Sequence, residues 1–219
     1  MSASTSGTDS IARTAAGATA LAGGMILFSW FAHRPLPGGA LGAAGLAIAG
    51  AAIVWASPRS EDLAATLGFR SGSRRPLIYS LLGVLTGALA GLAHRASLNL
   101  SVFDFTFQPF VIVACLIGAM EEVIYRGWLL GTLRRFGWPT AIGLSAIAHA
   151  AYKTALFAQP SVPAPIDYAS LALLTAAGGL ILGTLRAASR SLWPALIAHA
   201  VFDLVVYRTV ADAPWWVWR

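Results

Sequence analysis

Two adjacent carboxylates and a guanidinium stand inside an apolar run. Glu121-Glu122-Val123-Ile124-Tyr125-Arg126 follows the stretch Phe110 to Met120 and leads into Gly127-Trp128-Leu129-Leu130. A segment of this kind is long enough to cross a bilayer, which takes roughly 20 apolar residues. An ionised side chain at the centre of such a helix costs about 2.5–3.5 kcal/mol on insertion scales, so it must face the protein interior and find partners there. On a helix Glu122 and Arg126 are four apart and share a face, so they can pair. Glu121 points about 100° away from Glu122. Arg126 can therefore neutralise one carboxylate and leave the other for chemistry. A buried ion pair that only locks helices together would need one Glu, and here there are two.

Three further ionisable groups fall within apolar segments: His149, His199 and Asp203. At 1.5 Å per residue, Glu122 lies roughly 18 Å, His149 roughly 15 Å and His199 roughly 12 Å from the same end of the bundle, with Asp203 about 6 Å deeper. Three separate helices thus bring polar groups to similar depth, which predicts one polar cavity opening to the cytoplasmic side. His199 and Asp203 are four apart and share a helix face, so Asp203 could orient the imidazole or line the same site. Lys153 is one turn after His149 and could face the cavity. The expectation for it is instead snorkelling, or pairing with Asp167 or a lipid headgroup.

A carboxylate beside a water, with imidazoles nearby, is the equipment of a general-base hydrolase. The carboxylate takes a proton from water, one histidine helps position that water, and a second histidine with a polar neighbour donates to the oxyanion. The alternative is a Zn²⁺ held by Glu121, His149 and His199 with one position open. No Gly-x-Ser-x-Gly elbow and no Ser/His/Asp set stands out, which disfavours a serine mechanism. The one cysteine, Cys115, lies among Ala and Leu, so a buried inert thiol is expected.

These residues must be positioned by membrane-spanning helices. The chain of 219 residues is 57% hydrophobic and only 11% charged, with a mean hydropathy of +0.69, where soluble domains run near 25% charged. The fold class expected is all-α, a polytopic transmembrane bundle of about seven spanning helices. Their expected positions are about 11–32, 39–56, 76–94, 107–133, 139–158, 166–186 and 191–210. Residues 1–10 are small and polar and are expected to be disordered. Residues 11–212 form one transmembrane domain, and 213–219 (Trp215-Trp216-Val217-Trp218-Arg219) make an interfacial aromatic tail. The first segment carries only Arg13 ahead of its apolar core and no clear cleavage site, so it is read as a retained helix. Residues 57–75 are the most polar interior stretch and predict a loop with a short interfacial helix. A Pro-rich loop covers Gln159 to Pro165, and Arg186 to Arg190 form a basic turn.

The net charge of +6 is not a nucleic-acid footprint, because the basic residues sit at the ends of apolar runs. With the N-terminus cytoplasmic, nine arginines flank the inner helix ends and four the outer ones, which predicts that orientation. The chain is rich in Ala, Gly and Arg and nearly free of Lys. It therefore reads as a multi-pass protein of a prokaryotic inner membrane, in contact with lipid.

The pattern Glu121-Glu122-x-x-x-Arg126, a histidine in the next helix, and His199-x-x-x-Asp203 after a Trp-Pro helix start resembles the CPBP family. This group contains the type II CAAX prenyl endopeptidases and the bacteriocin-processing or immunity (Abi) proteins. Glu121 to Leu130 (EEVIYRGWLL) resembles its first motif and Ser191 to Asp203 (SLWPALIAHAVFD) its third. The resemblance spans about residues 76–210. It implies an intramembrane endopeptidase that cuts a peptide bond of a membrane-associated peptide or protein without a covalent acyl-enzyme. It further implies that Glu121 activates water, His149 helps bind it, His199 and Asp203 form the oxyanion side, and Glu122 with Arg126 supports the site. The family usually has Phe four residues before the motif-two histidine, where this chain has Ser145, and often Asn where it has Asp203. An ionised Asp cannot donate to an oxyanion, so Asp203 would be protonated, orient His199 or bind metal. Competing readings are a proton-coupled transporter component and a non-catalytic scaffold or immunity protein. The first predicts inverted repeats, and none is visible.

Overall fold

The computed structural model describes residues 5–32, 34, 35, 37–57, 62–70, 75–158 and 167–211, with side chains from residue 10 onward apart from Pro76. The Pro-rich loop at 159–165 and the aromatic tail at 213–219 lie outside the described residues. Every described element is helical. They are α1 (Thr5–Phe31), α2 (Gly38–Ala56), α3 (Leu63–Leu67), α4 (Pro76–Ser97), α5 (Phe110–Glu122), a π-helix (Val123–Leu129), α6 (Leu130–Leu133), a 3-10 turn (Arg134–Phe136), α7 (Trp138–Phe157), α8 (Tyr168–Ser189) and α9 (Trp193–Tyr207). With α5 to the 3-10 turn taken as one continuous rod, these are the seven long segments expected, and α3 is the short helix expected in the polar stretch. The first helix starts at Thr5, upstream of the expected boundary at residue 11.

Among the described residues, four helices are long and apolar enough to cross a membrane: α1, α2, α4 and α8. The segments that carry the ionisable groups are α5 with its π-helical continuation, α7 and α9. Their polar residues and shorter runs keep them below that mark. Polarity is inverted relative to a soluble domain. On α5, Ile112, Leu116 and Met120 face outward at 61–65% exposure, while Glu121 and Glu122 next to Met120 are 3% and 0% exposed. Outward apolar rows also run along α4 (Leu77, Leu81, Leu85, Leu89) and α8 (Leu173, Leu174, Ile181).

Helices approach through small residues, as expected where lipid removes the hydrophobic drive for association. On α4, Gly83 and Gly87 are one turn apart and lie against the backbone of α9; a Cβ at either would clash with the carbonyl of Pro194 or of Ala198. This close approach fixes the height of α9, and hence of His199 and Asp203. Termini are closed by local chemistry. Pro139 and Pro194 open α7 and α9 in their first turns, where a missing N–H costs nothing. Gly137, at φ +93°, ends the rod before α7 in a conformation that side chains disfavour. Asp167 caps α8 by accepting from the amides of Ala169 and Ser170. The Ser170 hydroxyl and amide hold the Asp167 carboxyl below its usual range. Arg95, 2% exposed, ties α4 to the end of α9 by donating to the carbonyls of Ser101 and Val206.

The π-helix is the one departure from the regular helix expected over 107–133. It begins at the residue after Glu122 and contains Arg126. Segments of this type are rare and recur at functional sites. Ser145 on α7 donates its hydroxyl to the Tyr125 carbonyl at 2.6 Å, which supplies a partner to backbone in this widened turn. This is a physical role for Ser145.

Candidate functional site

The rods α5, α7 and α9 meet at the level of Glu121. Arg126 Nη1 donates to Glu122 Oε1 at 2.8 Å, the i,i+4 pair that the spacing predicts, with the two side chains 1% and 0% exposed. The same oxygen, Glu122 Oε1, accepts from His199 Nδ1 at 2.8 Å. Glu122 thereby joins its own rod to α9. Arg126 Nη1 also lies 3.0 Å from His149 Nδ1, and His149 Nε2 lies 3.2 Å from Glu121 Oε2. Tyr125 stacks on the His149 ring at a centroid distance of 4.6 Å, which holds the imidazole between the two carboxylate systems. His199 Nε2 is 3.9 Å from Glu121 Oε2 and 3.8 Å from Asp203 Oδ2.

The six residues singled out from the sequence therefore converge, although they come from three rods and span more than 80 positions. One expectation changes. Glu121 is not left unpaired by the Glu122–Arg126 bond. Lys153 Nζ sits 2.6 Å from Glu121 Oε1, with its side chain only 20% exposed. The sequence reading favoured snorkelling or a headgroup for Lys153, and the structure turns it inward. The signal was its position one turn after His149, on the same face.

A cavity of about 30 Å³ lies against this cluster, lined by Phe110, Ala114, Ile117, Gly118, Glu121, Lys153, His199, Asp203 and Tyr207. A water needs about 10–15 Å³ and two to four polar partners, so the space is large enough for a water and offers it Glu121, Lys153, His199 and Asp203 as partners. His149, Glu122 and Arg126 stand behind the wall and reach the cavity only through Glu121 and His199. On α5 the lining residues run from 110 to 121, and on α9 from 199 to 207. The cavity therefore extends toward the Phe110–Tyr207 end, away from Arg134 and Arg135. This corrects the expected opening toward that basic end.

Gly118 sets the gap between α5 and α9. A Cβ there would clash with Asp203 Oδ2 and lie 2.9 Å from His199 Cδ2. Gly118→Ala is expected to destabilise the folded protein by about 1–3 kcal/mol through overpacking. Thermal unfolding in detergent measures this, and an unchanged midpoint would mean that α9 is not held where the site requires it.

The donor set can be tested against a zinc ion. A guanidinium donates and never accepts, so His149 Nδ1 accepts from Arg126 and the ring proton sits on Nε2, where it donates to Glu121. This tautomer is assigned from the partners. A protonated Nε2 offers no lone pair to a metal, and Lys153 already neutralises Glu121. Among the described residues, no group of three His, Cys, Asp or Glu side chains could hold a metal ion. The zinc site considered for Glu121, His149 and His199 does not fit this arrangement.

The ionisable groups balance instead among themselves: Glu121 with Lys153, Glu122 with Arg126, and Asp203 beside His199. Against known proteins, the family model described as type II CAAX prenyl endopeptidase Rce1-like matches residues 103–205. That stretch contains every residue of the cluster. Comparison with curated proteins and with solved structures gives no significant match.

Proposed function

We propose, from the premise that the chain belongs with the CPBP group of CAAX proteases, whose pattern it carries over residues 103–205, that it is a glutamate-dependent intramembrane endopeptidase. The observation that carries the reading is the buried Glu121 carboxylate on the wall of a water-sized cavity, backed by His149 and faced by His199. Glu121 takes a proton from a water in that cavity as the water oxygen attacks the peptide carbonyl. The negative charge moves to the carbonyl oxygen. When the C–N bond breaks, Glu121 returns the proton to the leaving amine, so water is consumed and two chain ends are released.

His149 acts through Glu121. Both its ring nitrogens are engaged, one by Arg126 and one by the carboxylate, so it fixes the direction of the base. His199 donates Nδ1–H to Glu122, and when its Nε2 also carries a proton that nitrogen faces the cavity as the donor to the oxyanion. Asp203, 3.8 Å from that nitrogen, balances the ring's charge. This is the role open to an acid where the family often has Asn. Glu122 and Arg126 hold the frame.

The substrate class this supports is a membrane-associated or lipidated polypeptide, because the cavity belongs to a bundle with four membrane-length apolar helices among its described residues and has an apolar rim at Phe110 and Ile117. The arginine distribution supports a multi-pass protein with its N-terminus cytoplasmic, and the Ala-, Gly- and Arg-rich, Lys-poor composition supports a prokaryotic inner membrane. The test is cleavage of a pool of membrane-anchored peptides by the purified protein in liposomes, with and without a zinc chelator. Cleavage that the chelator leaves unchanged is expected. No cleavage by folded protein against a broad pool would remove the endopeptidase reading, and chelator-sensitive cleavage would remove the bare-glutamate mechanism.

A further inference from the structure

We infer that Lys153 is a positioning residue for the reaction: it is the counter-ion that clamps Glu121 in its working orientation. The inference deepens the endopeptidase reading and rests on it.

Three observations carry it. Lys153 Nζ is 2.6 Å from Glu121 Oε1, while the other oxygen, Oε2, is held at 3.2 Å by His149. One oxygen thus takes a hydrogen bond from His149 and the other an ion-pair contact from Lys153, from two successive turns of α7. Lys153 also lines the cavity, as His149 does not.

A purely structural ion pair between these rods already exists without it. Glu122 joins Arg126 and His199, and Arg126 reaches His149. An ammonium is strongly hydrated and its four-carbon stem is flexible, so bringing one into a membrane bundle solely to brace helices duplicates that frame at a cost. What the frame lacks is a positive charge for Glu121, since the Arg126 guanidinium is committed to Glu122 and His149. A substrate entering the cavity displaces water and strengthens every interaction there. Under those conditions an ionised base without a partner is the unstable element, and Lys153 is the group placed to stabilise it. The other charged or titratable groups facing this region are Glu121, His149, Tyr152, His199, Asp203 and Tyr207. Of these, none besides Lys153 brings a permanent cation to Glu121.

The experiment compares wild type, Lys153→Met and Lys153→Arg in liposomes. Folding of each is first checked by thermal unfolding and size exclusion, and then kcat and KM are measured on one cleaved peptide. Lys153→Met keeps the stem and removes the charge. It is expected to lower kcat about 100-fold, the scale of a displaced catalytic group, with KM changed less than about 3-fold. Lys153→Arg restores a cation at the partly open mouth and is expected to recover at least about 10-fold of that loss.

If wild type cleaves and Lys153→Met stays within about 3-fold of it in kcat, the inference is overturned and the endopeptidase reading stands. If KM rises with kcat intact, Lys153 binds substrate instead, and the inference again fails. A Lys153→Met protein that does not fold marks a structural brace and overturns it as well. Wild type without activity removes the reading and this inference together.

Discussion

Glu121→Gln is expected to reduce kcat by about 10³-fold, within the range of roughly 10²–10⁴ that a positioned general base contributes. The amide keeps the size of the side chain and can still accept from His149, so the cavity wall survives. What it cannot do is take a proton from water. The substitution also frees Lys153, whose side chain is 20% exposed and shares its cavity with Asp203, so the released ammonium has another carboxylate near it and a route toward the mouth. Loss of activity is therefore expected without loss of the folded protein. The measurement is kcat on a membrane-anchored peptide, with the apparent melting temperature recorded on the same preparation. Activity within tenfold of wild type would show that another group removes the proton. Asp203 is then the next base to test, because it is the other carboxylate on the cavity wall.

The frame of this site was legible because helical spacing and depth are arithmetic. Four residues separate Glu122 from Arg126, and His199 from Asp203, and these intervals alone put each pair on one face. Matching depths on three apolar segments then put His149 and His199 near Glu121. Those steps use only the rise and the period of the helix, and they are insensitive to how the rods are rotated about one another.

Rotation and handedness were not legible, and the placement of Lys153 and the direction of the cavity depend on them. The π-helix after Glu122 changes the local period, so the azimuth of everything past it shifts. Its supporting contact, Ser145 to the Tyr125 carbonyl, is a long-range choice with no local signature. Lys153 lies on the His149 face whichever way α7 turns. Whether that face ends at Glu121 or at lipid depends on packing against α5. The direction of the cavity depends on packing at Gly118, whose missing side chain leaves room for Asp203 and His199 against α5. The metal question turned on a hydrogen-bond tautomer, which the sequence does not encode until Arg126 and His149 are known to touch.

Arg126→Met should be the most destabilising single substitution at the site. Arg126 is 1% exposed and serves Glu122 and His149 together. Its removal leaves Glu122, at 0% exposure, with only His199 to balance it. Breaking a buried pair by deleting one partner costs about 3–5 kcal/mol, because the remaining charge is uncompensated. That is a large part of the 5–15 kcal/mol by which typical domains are stable. A sharp fall in the yield of monodisperse protein and in its melting temperature is expected.

The paired substitution Glu122→Gln with Arg126→Met removes both charges and should recover most of that stability, since replacing a whole buried pair by uncharged groups is often near neutral. Activity should not return with it. Without the guanidinium, nothing forces His149 Nδ1 to accept, so the ring proton is free to leave Nε2 and the bond that orients Glu121 is lost. Without the Glu122 carboxylate, His199 loses the partner of its Nδ1–H. Stability restored with catalysis still absent is the outcome that separates the two duties of this pair. If the single Arg126→Met protein melts like wild type, the guanidinium is not the counter-charge of Glu122. If the double variant regains wild-type turnover, the tautomer of His149 is not what aims the base.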